Sequence, residues 1–253
     1  MRIYEKLMDI ADKKGAGHLV LIDPDKRSPD DSIGLAGECQ SSGVDGLLVG
    51  GSLLFSNRFD DFVKELKAAV DLPVILFPGS GQQVSAHADA ILFMSLLSGR
   101  NPHVLIGEQV QAAPVVKACG IEAIGTAYLL IESGRVTSAE FMSNTRPIPA
   151  HKPEIAVAHA LAAQYLGFKM IYLEAGSGAE SPVPEKMIQM VCRMVDIPVI
   201  VGGGIRSPER AADAVRAGAS FVVTGNHFEQ DGHRDQLGAF VRAIHYKSKR
   251  VDS

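Results

Sequence analysis

Eight short apolar runs recur along the chain, and between most of them apolar positions fall three and four residues apart. The runs begin near residues 18, 46, 73, 90, 122, 170, 198 and 221, close to the ~30 residues of one βα unit. Continuous apolar runs suit strands buried on both faces, as in a parallel sheet. The intervals 28–42, 58–70, 104–119, 155–166, 184–195 and 207–217 read as helices, and residues 2–14 as an amphipathic helix that caps the barrel bottom. Several intervals close on glycine (Gly43, Gly120, Gly167, Gly218), the residue that a left-handed C-cap favours, and Ser207-Pro208 places an N-cap before an N1 proline. Eight strands in strict βα alternation predict a closed (β/α)8 TIM barrel spanning 1–253 as one domain with a short N-terminal helix.

Two intervals break the rhythm. About ten residues separate Gly79 from Asp89, fewer than the dozen or so a helical crossover needs, so the third helix is expected to be replaced by a loop. Glu132 to Pro153 is long and polar, and a segment of that length at the open face of a barrel points to function.

The last three strands end in glycine clusters: 170–178, 198–204 and 221–226. Glycines let backbone N–H groups approach an anion closely, and in (β/α)8 barrels a phosphate commonly sits after strands 7 and 8. Period-two alternation puts Tyr172, Glu174 and Gly176 on one inward face. Glu174 would then act as general base on a hydroxyl of a bound phosphoester, or be a structural carboxylate held by a barrel Lys or Arg. Asp23, ending the first strand, would aim into the barrel mouth. It either joins Ser52 in a hard-oxygen site completed by substrate phosphate and Mg²⁺, or caps the following turn with Asp25. His18, at a strand start, is expected to face the barrel bottom in a structural role. The fourth and fifth strands carry little but apolar side chains and a tyrosine. This is ordinary core, or the wall of a groove that a missing third helix would open to a long apolar ligand.

Composition narrows the field. A net charge of −4 and the absence of a long basic run, the nearest being Lys247-Ser-Lys-Arg250, argue against nucleic acid. Three distant cysteines without CxxC spacing read as free thiols in a reducing compartment. The charged N-terminus and the lack of a ~20-residue apolar run predict a cytoplasmic chain that does not span a membrane. The histidines show no HxxxH or HxH spacing, which argues against a catalytic zinc site, and no GxSxG elbow occurs.

The strings His18-Leu-Val-Leu-Ile-Asp-Pro-Asp-Lys26, Val49-Gly-Gly-Ser52, Tyr172-Leu-Glu-Ala-Gly-Ser-Gly178, Val201-Gly-Gly-Gly-Ile-Arg206 and Thr224-Gly-Asn226 closely resemble the geranylgeranylglyceryl phosphate synthase family, including its heptaprenyl relative. The resemblance implies a barrel with the third helix replaced by a loop. It implies transfer of a prenyl group, geranylgeranyl being the expected one, from a polyprenyl diphosphate to the C3 hydroxyl of sn-glycerol 1-phosphate, with Mg²⁺. Carried over by motif, Asp23 and Ser52 would bind the metal. Tyr172, Leu173, Glu174, Ala175, Gly176, Ser177, Gly178, Gly203, Gly204, Gly225 and Asn226 would hold glycerol phosphate, with Glu174 as base and Tyr172 near the allylic carbon. The motif forms are similar to the family's second group, whose members are homo-oligomers, dimers or hexamers. Competing readings are a sugar-phosphate isomerase or epimerase on the same cradle, which has no use for an apolar groove, and a non-catalytic binding module.

Overall fold

The computed structural model describes residues 1–225, 227–228 and 232–245; Asn226 and the basic tail 247–250 lie outside the described residues. Eight parallel strands close into a barrel in sequence order, β8 returning to pair with β1. They are β1 (Gly17–Ile22), β2 (Gly46–Val49), β3 (Val74–Leu76), β4 (Ala90–Leu96), β5 (Glu122–Leu130), β6 (Met170–Glu174), β7 (Val199–Gly202) and β8 (Phe221–Thr224). The outer helices are α1 (Ile3–Lys14), α2 (Pro29–Ser42), α3 (Phe59–Ala69), α4 (Glu108–Cys119), α5 (Ser138–Ser143), α6 (Pro153–Tyr165), α7 (Glu185–Met194), α8 (Pro208–Arg216) and α9 (Leu237–Ile244). A single π turn, His103–Gly107, leads into α4.

Local chemistry sets the boundaries. Ser28 and Ser207 each accept a hydrogen bond from the third residue beyond them and precede a proline, so α2 and α8 start where the sequence predicts. Gly43 and Gly120 end α2 and α4 with left-handed backbone. From Phe77 to Asp89 the chain runs without a helix, as expected.

Two helices escaped the sequence reading. One is α5, inside the long 132–152 segment, capped by the Thr137 hydroxyl accepting from Glu140 N–H. The other is α9, whose buried Leu237, Phe240, Val241 and Ile244 follow a legible i, i+3, i+4, i+7 pattern.

The core has two layers. Leu19, Leu48, Ile75, Leu92, Tyr128, Tyr172, Ile200 and Phe221 fill the barrel, and Leu7 of α1 joins them from below, so α1 does close the bottom. Val20, Ile22, Val49, Ile171, Leu173, Ala175, Val201 and Val222 face the helices. His18 belongs to this outer layer and does not face the barrel bottom. Fully buried, it sets Nε2 2.8 Å from Thr224 Oγ1 and stacks on Phe240 of α9. Burial pushes its pKa down to about 3, which keeps the ring neutral.

Candidate active site

The C-terminal ends of the strands open into one cavity of about 1590 Å³, beyond the ~300–1,000 Å³ of an ordinary small-molecule pocket. Asp23, Ser52, Tyr172, Glu174, Gly176, Ser177, Gly178, Gly203, Gly204 and Gly225 all line it, so the structure brings the expected site residues to one mouth. Leu173 and Ala175 differ from these in side-chain direction. Strand alternation turns their side chains into the outer layer, where each is fully buried among apolar neighbours, away from the cavity.

Glu174 is 6% exposed and points inward from the last residue of β6. Burial drives its pKa up to about 7, only partly offset by the Gly176 N–H, which donates to Oε1 at 2.6 Å, and by the neighbouring Tyr172 hydroxyl. Among the described residues no Lys or Arg pairs with this carboxylate, so the alternative of a Glu held by a barrel cation has no support. Its room comes from two glycines. A Cβ on Gly202 would sit 3.0 Å from Glu174 Oε2 and closer still to the Tyr172 hydroxyl. One on Gly203 would sit 2.7 Å from Gly176 N and closer still to Glu174 Oε1, and Gly203 also has φ 83°, which a side chain resists. With Gly176, Gly178 and Gly204 also at positive φ, the loops after β6 and β7 interlock into a seat lined by backbone.

Across the mouth, Asp23 continues the inward face of β1. Burial raises its pKa, while the Asp25 N–H donates to Oδ1 at 3.1 Å and Lys26 Nζ lies 3.8 Å from Oδ2. Asp25 accepts from the N–H groups of Phe55 and Ser56, which ties the loop after β2 to the loop after β1. The turn-capping role of this acidic pair is therefore real, and it leaves Asp23 in the cavity wall. Gln83 pins Gly51 from the other side, donating to its carbonyl at 2.7 Å and accepting from its N–H at 3.1 Å. Gly51 in turn abuts the Asp23 carboxylate and precedes Ser52. Among the described residues no group of three His, Cys, Asp or Glu converges, so the protein alone would give a cation an incomplete shell.

Two features of the cavity were not anticipated from the sequence. Phe77, Tyr128 and Tyr172 form an aromatic cluster with ring centroids 5.2–6.0 Å apart. Strand parity could have revealed it, since all three sit near the C-terminal ends of their strands. Arg135 and Arg206 are cavity residues that donate to the carbonyls of Gly178 and Ala179, so both guanidinium groups brace the loop after β6. Arg135 belongs to the 132–152 segment, and Thr137 of that segment packs on Gly176, which places the segment against the seat.

Beyond the aromatic cluster the cavity continues as an apolar arm. Phe93 and Ile91 on the outer face of β4, with Val104 and Ala112 from the α4 side, line it. This is the space that the absent third helix would fill. The helix-less link is held open against α4 by Gly81 N–H donating to Glu108 Oε2 at 2.6 Å.

A model of the PcrB family matches residues 8–244. A protein of Thermococcus kodakarensis named geranylgeranylglyceryl phosphate synthase is 50% identical over 247 residues, 96% of this chain and 95% of its own. One of the same name from Chitinophaga pinensis is 46% identical over 230 residues, 91% of each chain. The crystal structure of (S)-3-O-geranylgeranylglyceryl phosphate synthase from Thermoplasma acidophilum, in complex with sn-glycerol-1-phosphate, superposes with a TM-score of 0.90 at 39% identity, covering 96% of this chain and 98% of that one. An N-acetylmannosamine-6-phosphate 2-epimerase from Clostridium perfringens, 16% identical with a TM-score of 0.58, shares the fold.

Proposed function

The chain belongs to the PcrB family, and from that premise we propose that it is a prenyltransferase joining a polyprenyl diphosphate, geranylgeranyl diphosphate by preference, to the C3 hydroxyl of sn-glycerol 1-phosphate. The observation that carries this reading is a buried carboxylate with a pKa of about 7, Glu174, set between an anion seat and an apolar arm within one cavity. An epimerase on the same cradle would need neither the arm nor a cavity of this size.

The prenyl chain would lie along Phe93, Ile91, Val104 and Ala112, with its diphosphate toward Asp23 and Lys26. Glycerol phosphate would place its phosphate in the glycine seat and its free hydroxyl at Glu174. As the new C–O bond forms at the allylic carbon, the old bond to diphosphate breaks and the hydroxyl proton passes to Glu174. The faces of Tyr172, Tyr128 and Phe77 would attract the positive charge that develops on the allylic carbon. A base with a pKa near neutrality is efficient because it is ionised at working pH yet still takes up a proton.

Mg²⁺ fits the donors present: Asp23 and Ser52 offer hard oxygens, and this cation accepts substrate phosphate oxygens and waters for the rest of its shell. When bound it would stabilise negative charge on the leaving diphosphate. Incubation with radiolabelled sn-glycerol 1-phosphate and prenyl diphosphates of several lengths, with and without Mg²⁺, tests the proposal. A lipid-soluble labelled product is expected, and none with any donor would refute it. Asp23→Asn should remove Mg²⁺-dependent activity, and a variant as active as the parent would contradict the metal role.

A further inference from the structure

Where β8 ends, the cavity wall carries two histidines that the activity proposed above leaves without a task. The rings of His227 and His233 stack with centroids 4.3 Å apart and planes 21° from parallel. Both line the cavity together with Gly203, Gly204, Gly225 and Arg206. Five residues separate them in sequence, and their rings lie face to face.

Their hydrogen bonds assign the protons. His227 Nε2 is 3.2 Å from Gln236 Oε1, an amide oxygen that only accepts, so the hydrogen sits on Nε2 and Nδ1 keeps its lone pair. His233 Nδ1 is 3.2 Å from the carbonyl oxygen of His227, so this ring is protonated on Nδ1 and keeps its lone pair on Nε2. Neither of those second nitrogens makes a further hydrogen bond among the described residues. A neutral pair therefore presents two acceptors, which is the wrong polarity for a phosphate. One added proton turns an acceptor into a charged donor.

We infer that the His227–His233 stack is a proton-dependent grip on the phosphate of the acceptor substrate, taking up a proton as a phosphate dianion enters the glycine seat. The inference rests on the seat binding a phosphate ester, and it adds two side chains and a pH dependence to that site. Among the described residues, the charged or titratable groups bearing on His227 are His233 and Arg206, while Gln236, Phe228 and Phe240 supply its polar and aromatic contacts. Desolvation first, then His233 and Arg206, hold the free ring below its ordinary pKa, against the Gln236 bond. By itself the His227 ring is thus held toward its neutral form. An arriving dianion opposes both the Arg206 repulsion and the penalty on charging a desolvated ring.

Calorimetric titration of sn-glycerol 1-phosphate, and separately of inorganic phosphate, into the protein without a prenyl donor tests this. Repeating it in buffers of different ionisation enthalpy counts the protons taken up. Between about pH 6.5 and 8 the parent should take up about half a proton more per ligand than His227→Gln, and its affinity should strengthen several-fold more on acidification. Equal uptake and parallel affinities in parent and variant would overturn the grip while leaving the seat intact. If the parent binds neither ligand, the seat itself is refuted and the grip with it. Should His227→Gln lack a cooperative melt, His233→Gln carries the same expectation.

Discussion

At the N-terminal end of the barrel Asp45, with a side chain 1% exposed, accepts hydrogen bonds from His18 N–H at 2.8 Å, Lys14 Nζ at 2.5 Å and His245 Nε2 at 2.7 Å. At the other end Glu174, comparably buried, has one backbone N–H and the neighbouring Tyr172 hydroxyl for company, and no cation among the described residues. Burial pushes both carboxyl groups toward the protonated form. At Asp45 the bonds from His245, Lys14 and His18 outweigh it and the pKa falls below the ordinary value; at Glu174 they do not, and it rises to about 7. The first arrangement ties α1, the start of β2 and the residue after α9 together. The second leaves a carboxylate ready to accept a proton. A fully paired carboxylate thus sits at one end of the barrel and one without a cationic partner among the described residues at the other.

The sharpest way to break that contrast is Glu174→Gln. Turnover should fall about 10³-fold, equivalent to roughly 4 kcal/mol, while glycerol phosphate affinity stays within about tenfold, or about 1.4 kcal/mol. Turnover equal to the parent's would remove the base assignment.

Next in size, Asp45→Ala should cost about 3 kcal/mol of stability by urea unfolding, because Lys14, the His245 ring and a buried N–H all lose their acceptor. Its kcat should be unchanged wherever the protein is folded. A stability within about 0.5 kcal/mol of the parent, the scatter of a neutral surface change, would show that the cluster contributes little.

Gly202→Ala puts a methyl group against the Tyr172 hydroxyl and Glu174 Oε2, an overpacking worth about 1–3 kcal/mol. It should depress kcat more than it raises the KM for prenyl donor, and the reverse split would place the clash elsewhere.

The smallest effect is in pH. With Glu174 active as the ionised base, kcat should drop about tenfold for each unit below pH 7 and level off above it, and Glu174→Gln should lose this limb. The same two groups act oppositely on stability. Asp45, with its lowered pKa, contributes above the ordinary aspartate value and loses that contribution as pH falls through its folded pKa. Glu174, with its raised pKa, favours the fold below 4.5 and loses that contribution as pH rises through about 7.

Much of this was legible in the chain. The strand runs, the Ser-Pro starts of α2 and α8 and the glycine ends depend on neighbours within a few residues, and short-range chemistry is what a sequence displays. The inward direction of Tyr172 and Glu174 followed from alternation alone, and the same rule turns the side chains of Leu173 and Ala175 outward. The apolar arm was foreshadowed by the shortness of the link from Gly79 to Asp89. By contrast, α9 has a plain helical pattern but lies past the eighth strand, where the βα count is already complete and no further strand demands a helix before it.

Order and spacing of residues by themselves determined the eightfold βα repeat, the missing third helix, the glycine-lined strand ends and the face on which Glu174 lies. All of these arise from backbone geometry and local steric preference. Only the tertiary structure decided that Glu174 is desolvated without gaining a cation among the described residues, that Phe77, Tyr128 and Tyr172 meet, and that His227 and His233 stack within reach of Arg206. Desolvation and the convergence of distant side chains are properties of the packed volume around a group, and no linear stretch of the chain contains that volume.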